Sequence, residues 1–512
     1  MVKVFLFLII AGSAALRFWR GPDLFFWHVD EDIIALTVKR ILIEHRPQLI
    51  GFPIPGGIYL GPLFYYLISI PYFLVGMNPT KLYVFSAILG TFATFLTYKV
   101  GKIIFEREII GILAAIIFGF SYLSNVYGKV MTGLTFTPIL SLLIYLILYQ
   151  IIKQKKPKYF LWLGVILLTA AQNEGSSLSL IVLAIVIFAI YRIRVPIKKL
   201  ILVVGMFIAF HLPLLIFDLR HNFFLTNSFL NFIKGNTLGN QSTLNIFTAF
   251  DGIEIFPRTF ARFLMPSGPN DVSAQILPCH DLAIARLSSI SPSMFILAIA
   301  IIGFFIISQI FKKKRVPGER IILIHFAVMV FGIIVYNLFL VGYSYEWITV
   351  IFFPGFAFLV SYFLSEIFWK KITGKMLVLS LMVFFMIVNT KAVFNSSDPF
   401  SLYKKSAAVK FALSQVSGRE FYLESLGGCF NQGYLYLFWY FGQLPISAEG
   451  LIFDPAFFES GEKPDLGVVL VHDLKNTDDS FAKYTNYLSQ TISRKKLGGI
   501  EVLIVDAGKS LE

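Results

Sequence analysis

The sequence predicts a polytopic α-helical membrane protein of about eleven spans, followed by a small extracytoplasmic α/β domain. Three observations carry that fold class. Of 512 residues, 57% are hydrophobic and only 14% are charged, more apolar surface than a soluble core requires. The apolar residues fall into separate runs divided by short loops rich in Lys and Arg. From Phe394 the character changes: residues 394–512 hold 11 Lys and Arg against 14 Asp and Glu, a net of −3, while residues 1–393 carry +17.

The apolar segments run over 4–16, 58–76, 82–98, 109–123, 134–152, 159–171, 178–191, 200–217, 292–311, 321–341, 347–366 and 376–393. The first, with Lys3 before it and Ser13-Ala14-Ala15 at its end, has the look of a signal peptide. With so many apolar segments following, it reads as a short first span. Five connecting loops are strongly basic: Lys99, Lys102 and Arg107; Lys153, Lys155, Lys156 and Lys158; Arg192, Arg194, Lys198 and Lys199; Lys312 to Arg315; and Lys370, Lys371 and Lys375. Placing all five in the cytoplasm satisfies the positive-inside rule for every segment from residue 82 onward. The same distribution argues against nucleic acid as a partner. It puts the N-terminus inside a plasma membrane, and puts a first loop (17–81), a large loop (218–291) and the tail (394–512) outside. Segment 58–76 then cannot cross. It contains Pro62 and Pro71 and is flanked by Pro53 to Gly57 and Asn78-Pro79, so it reads as a juxtamembrane or re-entrant helix within the first loop. In the tail, 420–423, 466–471 and 502–505 read as buried strands, and 401–416 and 478–491 as helices between them. Cys279 and Cys429 both fall outside, where a bridge between large loop and tail would persist.

Asp30-Glu31-Asp32 opens an amphipathic run in which Ile34, Val38, Ile41 and Leu42 share one face. Acids suit a helix N-terminus, so a capped interfacial helix is one reading of the triplet. Ionisable groups kept beside a bilayer for chemistry are the other.

The stretch from Asp30 to Pro79 combines the triplet, Leu49-Ile50-Gly51, Gly56-Gly57-Ile58-Tyr59-Leu60-Gly61-Pro62-Leu63-Phe64-Tyr65-Tyr66 and Asn78-Pro79. It resembles the first external loop of GT-C glycosyltransferases, nearest to dolichyl-phosphate-mannose–protein mannosyltransferases and lipid A aminoarabinose transferases. Pro213 to Phe223 and Tyr434 to Pro445 are similar to later parts of such proteins. The resemblance implies a sugar carried on a polyprenyl phosphate and transferred with inversion to a hydroxyl of a protein, lipid or glycan acceptor. Asp30 matches the first acidic position and becomes the general base. Glu31 matches the second. Glu31, Glu174, Gln172 and Tyr59 are the candidates for sugar or acceptor contacts. Arg220 and His221, just beyond span 200–217, together with Lys129, Arg258 and Arg262, are candidates for the lipid phosphate, which guanidinium pairs bidentately. For each of these cations, ordinary snorkelling toward headgroups is the competing role.

The chain departs from the family in its second external loop. Tyr127 to Gly133 contains no carboxylate, which leaves a divalent metal without its second acidic ligand; no cofactor is otherwise implied. His28 stands near Asp30, where it would tune that acid, or beside Trp27 is simply interfacial, and His211, inside a span, reads as structural. The rival functions are a lipid-linked sugar flippase or transporter and a non-catalytic envelope-assembly protein. A carrier would place ionisable groups at the bilayer midplane and show internal repeats, whereas here the carboxylates gather outside the spans.

Overall fold

The computed structural model describes residues 2–54, 58–156, 158–233, 253–266, 290–312, 316–339, 346–369, 371–427, 433–448, 464–472, 474 and 480–506. Cys279 and Cys429, and with them the question of a bridge, lie outside the described residues.

Among the described residues seven helices are long and apolar enough to cross a membrane by length and composition: Pro79–Ile104, Gly133–Gln154, Ile197–Arg220, Pro292–Phe311, Pro317–Asn337, Glu346–Phe368 and Ile372–Asn395. Each falls on an expected span. The remaining four expected spans are shorter helices, Val2–Phe18, Glu108–Phe120, Lys158–Ala171 and Gly175–Ile190. At about 1.5 Å per residue, the 13 residues of Glu108–Phe120 reach only part-way across a hydrocarbon core of about 30 Å. The count of eleven therefore rests on those four. Small residues let the helices approach: a Cβ on Gly111 would stand 2.5 Å from the Tyr98 carbonyl oxygen of the preceding helix, the close backbone contact that drives helix association in lipid.

The expected non-crossing segment is the 12-residue helix Leu63–Leu74, preceded by a hairpin of β1 (Pro53–Ile54) and β2 (Ile58–Tyr59). Before it lies the loop helix Val29–Leu42, whose first turn is the acidic triplet. Its amphipathic pattern buries Ile34, Ala35, Leu36 and Val38.

In the tail, the helix Leu402–Val416 leads to β3 (Tyr422–Leu426), the helix Leu435–Phe441, β4 (Ser447–Ala448), β5 (Leu466–His472), the helix Ser480–Ser489, β6 (Thr491–Leu497) and β7 (Ile500–Asp506). The sheet order is β4-β3-β5-β7-β6. β3 is parallel to β4 and β5, while β7 is antiparallel to β5 and β6. Every residue of β5 is buried, as its run of valines and leucines requires for a central strand. β6, by contrast, is an edge carrying Arg494, Lys495 and Lys496, charges that discourage edge-to-edge pairing.

One apolar cluster runs through both loop and tail. It joins Phe25, Trp27, Ile34, Val38, Phe64, Tyr65 and Tyr72 to Leu402, Val409, Leu435, Tyr436, Val468 and Ile504. The first loop and the tail thus bury a common core on one end of the helical bundle.

Candidate active site on the first loop

The three acids of the triplet diverge. Asp30 is half-buried. Glu31, 2% exposed, turns back so that its carboxylate accepts the His28 backbone N–H at 2.9 Å, one half of a capping box. Asp32, fully buried, faces the tail and accepts the Tyr436 backbone N–H at 3.0 Å. Burial pushes the Asp32 carboxyl up to about 7 against the pull of backbone donors and Lys405. Successive residues of a helix point about 100° apart, so committing Glu31 and Asp32 inward leaves Asp30 as the half-exposed acid of the three. His28 stacks on Phe26 with ring centroids 4.0 Å apart.

Opposite the loop helix, Tyr65 is buried. Burial raises its hydroxyl above the ordinary value, Thr37 hydrogen bonding opposes this, and the charges of Asp30 and Tyr59 add to the rise. Asp30, Tyr65 and Tyr59 therefore share one electrostatic neighbourhood. The Tyr59 ring also stands 6.1 Å from Phe224, which begins the helix Phe224–Ile233. That contact brings the end of the span Ile197–Arg220 to the hairpin. There Arg220 is exposed, His221 Nδ1 meets the Phe217 carbonyl at 2.8 Å, and the buried Asp218 caps the following helix through the Leu225 N–H at 2.7 Å.

Glu174 accepts the Gly175 N–H at 3.0 Å, and a Cβ on Gly175 would lie 3.6 Å from Ile54 of the hairpin. The turn bearing Glu174 thus borders the first loop. Gln172 is committed elsewhere: its amide nitrogen donates to the Phe210 carbonyl at 2.9 Å and its oxygen accepts the Leu63 N–H at 3.2 Å. It pins the start of Leu63–Leu74 to a span, and with Glu31 it leaves the set available for sugar contacts.

The cations separate similarly. Lys129, 5% exposed, donates to the Trp19 carbonyl at 2.9 Å. Burial, with Arg17 and Arg20 nearby, lowers its amine to about 7. Arg258 pairs with Glu254 one turn away at 3.4 Å. Arg262, 1% exposed, forms a buried ion pair with Glu346, which also accepts the Tyr127 hydroxyl at 3.2 Å. This corrects the assignment of Arg262 to lipid phosphate: its charge is answered within the fold, and withdrawing it would strand a buried carboxylate. His211, expected as structural, meets the Phe207 carbonyl through Nδ1 at 2.9 Å.

Sequence reading missed the tail's share of this region. Lys405, 3% exposed, donates to the Trp27 carbonyl at 2.7 Å and lies 4.8 Å from the Tyr434 ring centroid. Burial lowers its amine to about 8 against the attraction of Asp398, Asp32 and Glu31. The available signal was its place in the stripe Leu402, Lys405, Val409, Ala412, Val416, all buried on one helix face. Arg17 was missed as well; it is buried in the first helix with its guanidinium on the Gly119 carbonyl at 3.2 Å and the Ser124 hydroxyl at 3.3 Å.

Residues 60–217 match the family model described as dolichyl-phosphate-mannose-protein mannosyltransferase. Among solved structures, the apo oligosaccharyltransferase of Archaeoglobus fulgidus superposes with a TM-score of 0.51 at 14% identity, over 87% of this chain and 64% of that one. The chain shares the fold of that oligosaccharyltransferase. It spans 64% of the oligosaccharyltransferase's length. Two further matches are ArnT from Cupriavidus metallidurans bound to undecaprenyl phosphate and the Archaeoglobus fulgidus AglB in complex with an inhibitory peptide and a dolichol-phosphate. The former has a TM-score of 0.48 at 12% identity over 98% of each chain; the latter has 0.49 at 13%, over 87% and 64%. No curated protein matches the chain. The mannosyltransferase match begins at Leu60 and takes in Tyr65, Lys129, Gln172 and Glu174, while Asp30 precedes it and the large loop and tail follow it.

Proposed function

We propose that the protein is a membrane glycosyltransferase that moves a sugar from a polyprenyl-phosphate donor to an acceptor hydroxyl at the extracytoplasmic face, with inversion and with Asp30 as general base. The observation that carries this is the division of the triplet: Glu31 and Asp32 are turned into the fold, and Asp30 stays half-exposed beside Tyr65. Glu31 serves the helix cap and Asp32 the tail, and a third acid kept half-buried in the same turn fits a reactive role. The mannosyltransferase match over residues 60–217 supports a lipid-phosphate donor.

In the reaction, the acceptor oxygen bonds to the anomeric carbon as its proton passes to a carboxylate oxygen of Asp30. The bond from that carbon to the phosphate oxygen breaks, and its electron pair leaves with the lipid phosphate. Arg220 and His221, exposed at a helix end beside the hairpin, would receive that phosphate. Lys129 and Arg258 are the further cations offered to that phosphate, although Lys129 holds the Trp19 carbonyl and Arg258 holds Glu254 in this structure. Tyr59 and Glu174 border the same loop and serve the sugar or the acceptor. The test is release of lipid phosphate from dolichyl-phosphate mannose and from undecaprenyl-phosphate sugars by purified protein. Wild-type protein that binds neither lipid and releases no phosphate would rule the reading out, leaving the transporter and assembly roles.

A further inference from the structure

We propose that Lys405 of the tail is a positioning residue for Asp30, clamping the backbone on one side of the base while Asp32 anchors it on the other. This rests on the reading of Asp30 as base. Trp27 lies three residues before Asp30 and gives its carbonyl to the Lys405 amine at 2.7 Å. Asp32 lies two residues after it and takes the Tyr436 N–H at 3.0 Å. Both bonds run from the tail to the loop, and both are buried. Two more fix the loop as a body: the Leu402 N–H reaches the Phe25 carbonyl at 3.4 Å, and the Tyr436 hydroxyl donates to the Met77 carbonyl at 2.6 Å.

Docking alone does not call for a lysine here. An apolar cluster joins loop and tail here, and a hydrophobic residue in the Leu402–Val416 stripe would extend it without desolvating an ammonium. A lysine does two things a hydrophobe cannot. It gives a donor to the carbonyl of Trp27, a buried residue just outside the helix, where an unpaired backbone group would be costly. It also places positive charge among the carboxylates of Asp32, Glu31 and Asp398, so that Asp32 can remain buried two residues from Asp30. The other titratable groups facing this amine are Tyr434, through its ring, and His472 on β5, which its charge reaches. A base held within a fraction of an ångström from both sides is pre-organised, and a misplacement of about 1 Å costs about 10²-fold in rate.

The test compares wild type, Lys405→Met and Asp32→Asn/Lys405→Met in full-length protein. Amide hydrogen exchange of residues 26–36 needs no substrate. Lys405→Met should raise it about tenfold, with residues 466–472 and 500–506 unchanged. Release of lipid phosphate from dolichyl-phosphate mannose should show kcat reduced about 10²-fold with KM for the donor unmoved. The double variant removes the unbalanced carboxylate along with the amine and should recover part of both losses, as coupled charges do in a mutant cycle. Unchanged exchange at 26–36 in Lys405→Met overturns the proposal. So does exchange that rises equally through β5 and β7, which would mean the tail had simply unfolded. If wild-type protein releases no lipid phosphate, the role of Asp30 as base falls, while the exchange data still decide whether Lys405 holds the segment.

Discussion

At the scale of single residues, Asp30 carries the strongest expectation. Asp30→Asn keeps size and cannot take the proton, so lipid-phosphate release should fall about 10²- to 10⁴-fold with donor binding intact. Glu31→Gln should act on folding more than on chemistry, because its carboxylate caps the helix; melting temperature should drop while turnover per folded molecule holds. A turnover equal to wild type in Asp30→Asn would make the triplet a cap and turn attention to Glu174. Asp32 supplies a pH signature. Its carboxyl titrates near 7 in the fold against an ordinary 3.8. Between those values the folded protein holds a proton that the unfolded chain has released, so the contribution of Asp32 to stability falls as pH rises through that window. Asp398, at about 6, moves the same way, while Lys405, at about 8 against 10.5, restores stability only at higher pH. Asp32→Asn does not titrate. Its melting temperature should therefore gain on wild type between pH 4.5 and pH 7.5, and a constant gap would refute the shift. The triplet itself was legible in sequence; the division of labour within it was not, because which acid turns inward depends on Tyr436 and Lys405, hundreds of residues away.

At the scale of elements, long apolar runs announced themselves, and Pro292–Phe311 matches its expected bounds. Short or charged elements did not. β6, with Arg494, Lys495 and Lys496, lacks the apolar alternation of a strand and exists because β7 offers it a partner across the Gly498-Gly499 turn, where Gly498 adopts φ +67°. Arg262 read as a surface cation because the carboxylate that buries it, Glu346, belongs to another element. That pair ties the helix Ile255–Leu264 to the start of a span. Glu346→Gln should destabilise the protein by about 3–5 kcal/mol, the cost of leaving one buried charge unanswered, and Arg262→Met with Glu346→Gln should recover much of it. Thermal melts of the purified variants measure both; a single variant as stable as wild type would mean the pair is not buried in the native protein.

At the scale of the whole molecule, the positive-inside rule leads us to propose that the basic loops and the tail lie on opposite sides of the membrane. In a background with Cys279 and Cys429 replaced by serine, an impermeant maleimide applied outside intact cells should label Ser414→Cys, on the exposed side of Leu402–Val416, and spare Lys155→Cys until permeabilisation. The reverse pattern would invert the topology. Sequence composition suggests a boundary between membrane region and tail at Phe394 because hydrophobic and near-neutral segments differ on average. It had no means of seeing that the tail's apolar face and the first loop's apolar face form one interior, since that pairing is a property of tertiary packing, not of either segment.

That shared interior has a consequence for how the molecule comes into being. The bond from Tyr436 to Asp32 joins residues 404 apart. At about 5–20 residues per second of synthesis, the loop waits roughly 20–80 s for its partner, through the insertion of nearly every later helix. A nascent or prematurely terminated chain would own the base and the bundle yet lack the wall against which the base is set. On the proposed reading of Asp30 as base, competence for transfer would then arrive only once Tyr436 has been made, and a chain cut before it should leave the first loop undocked.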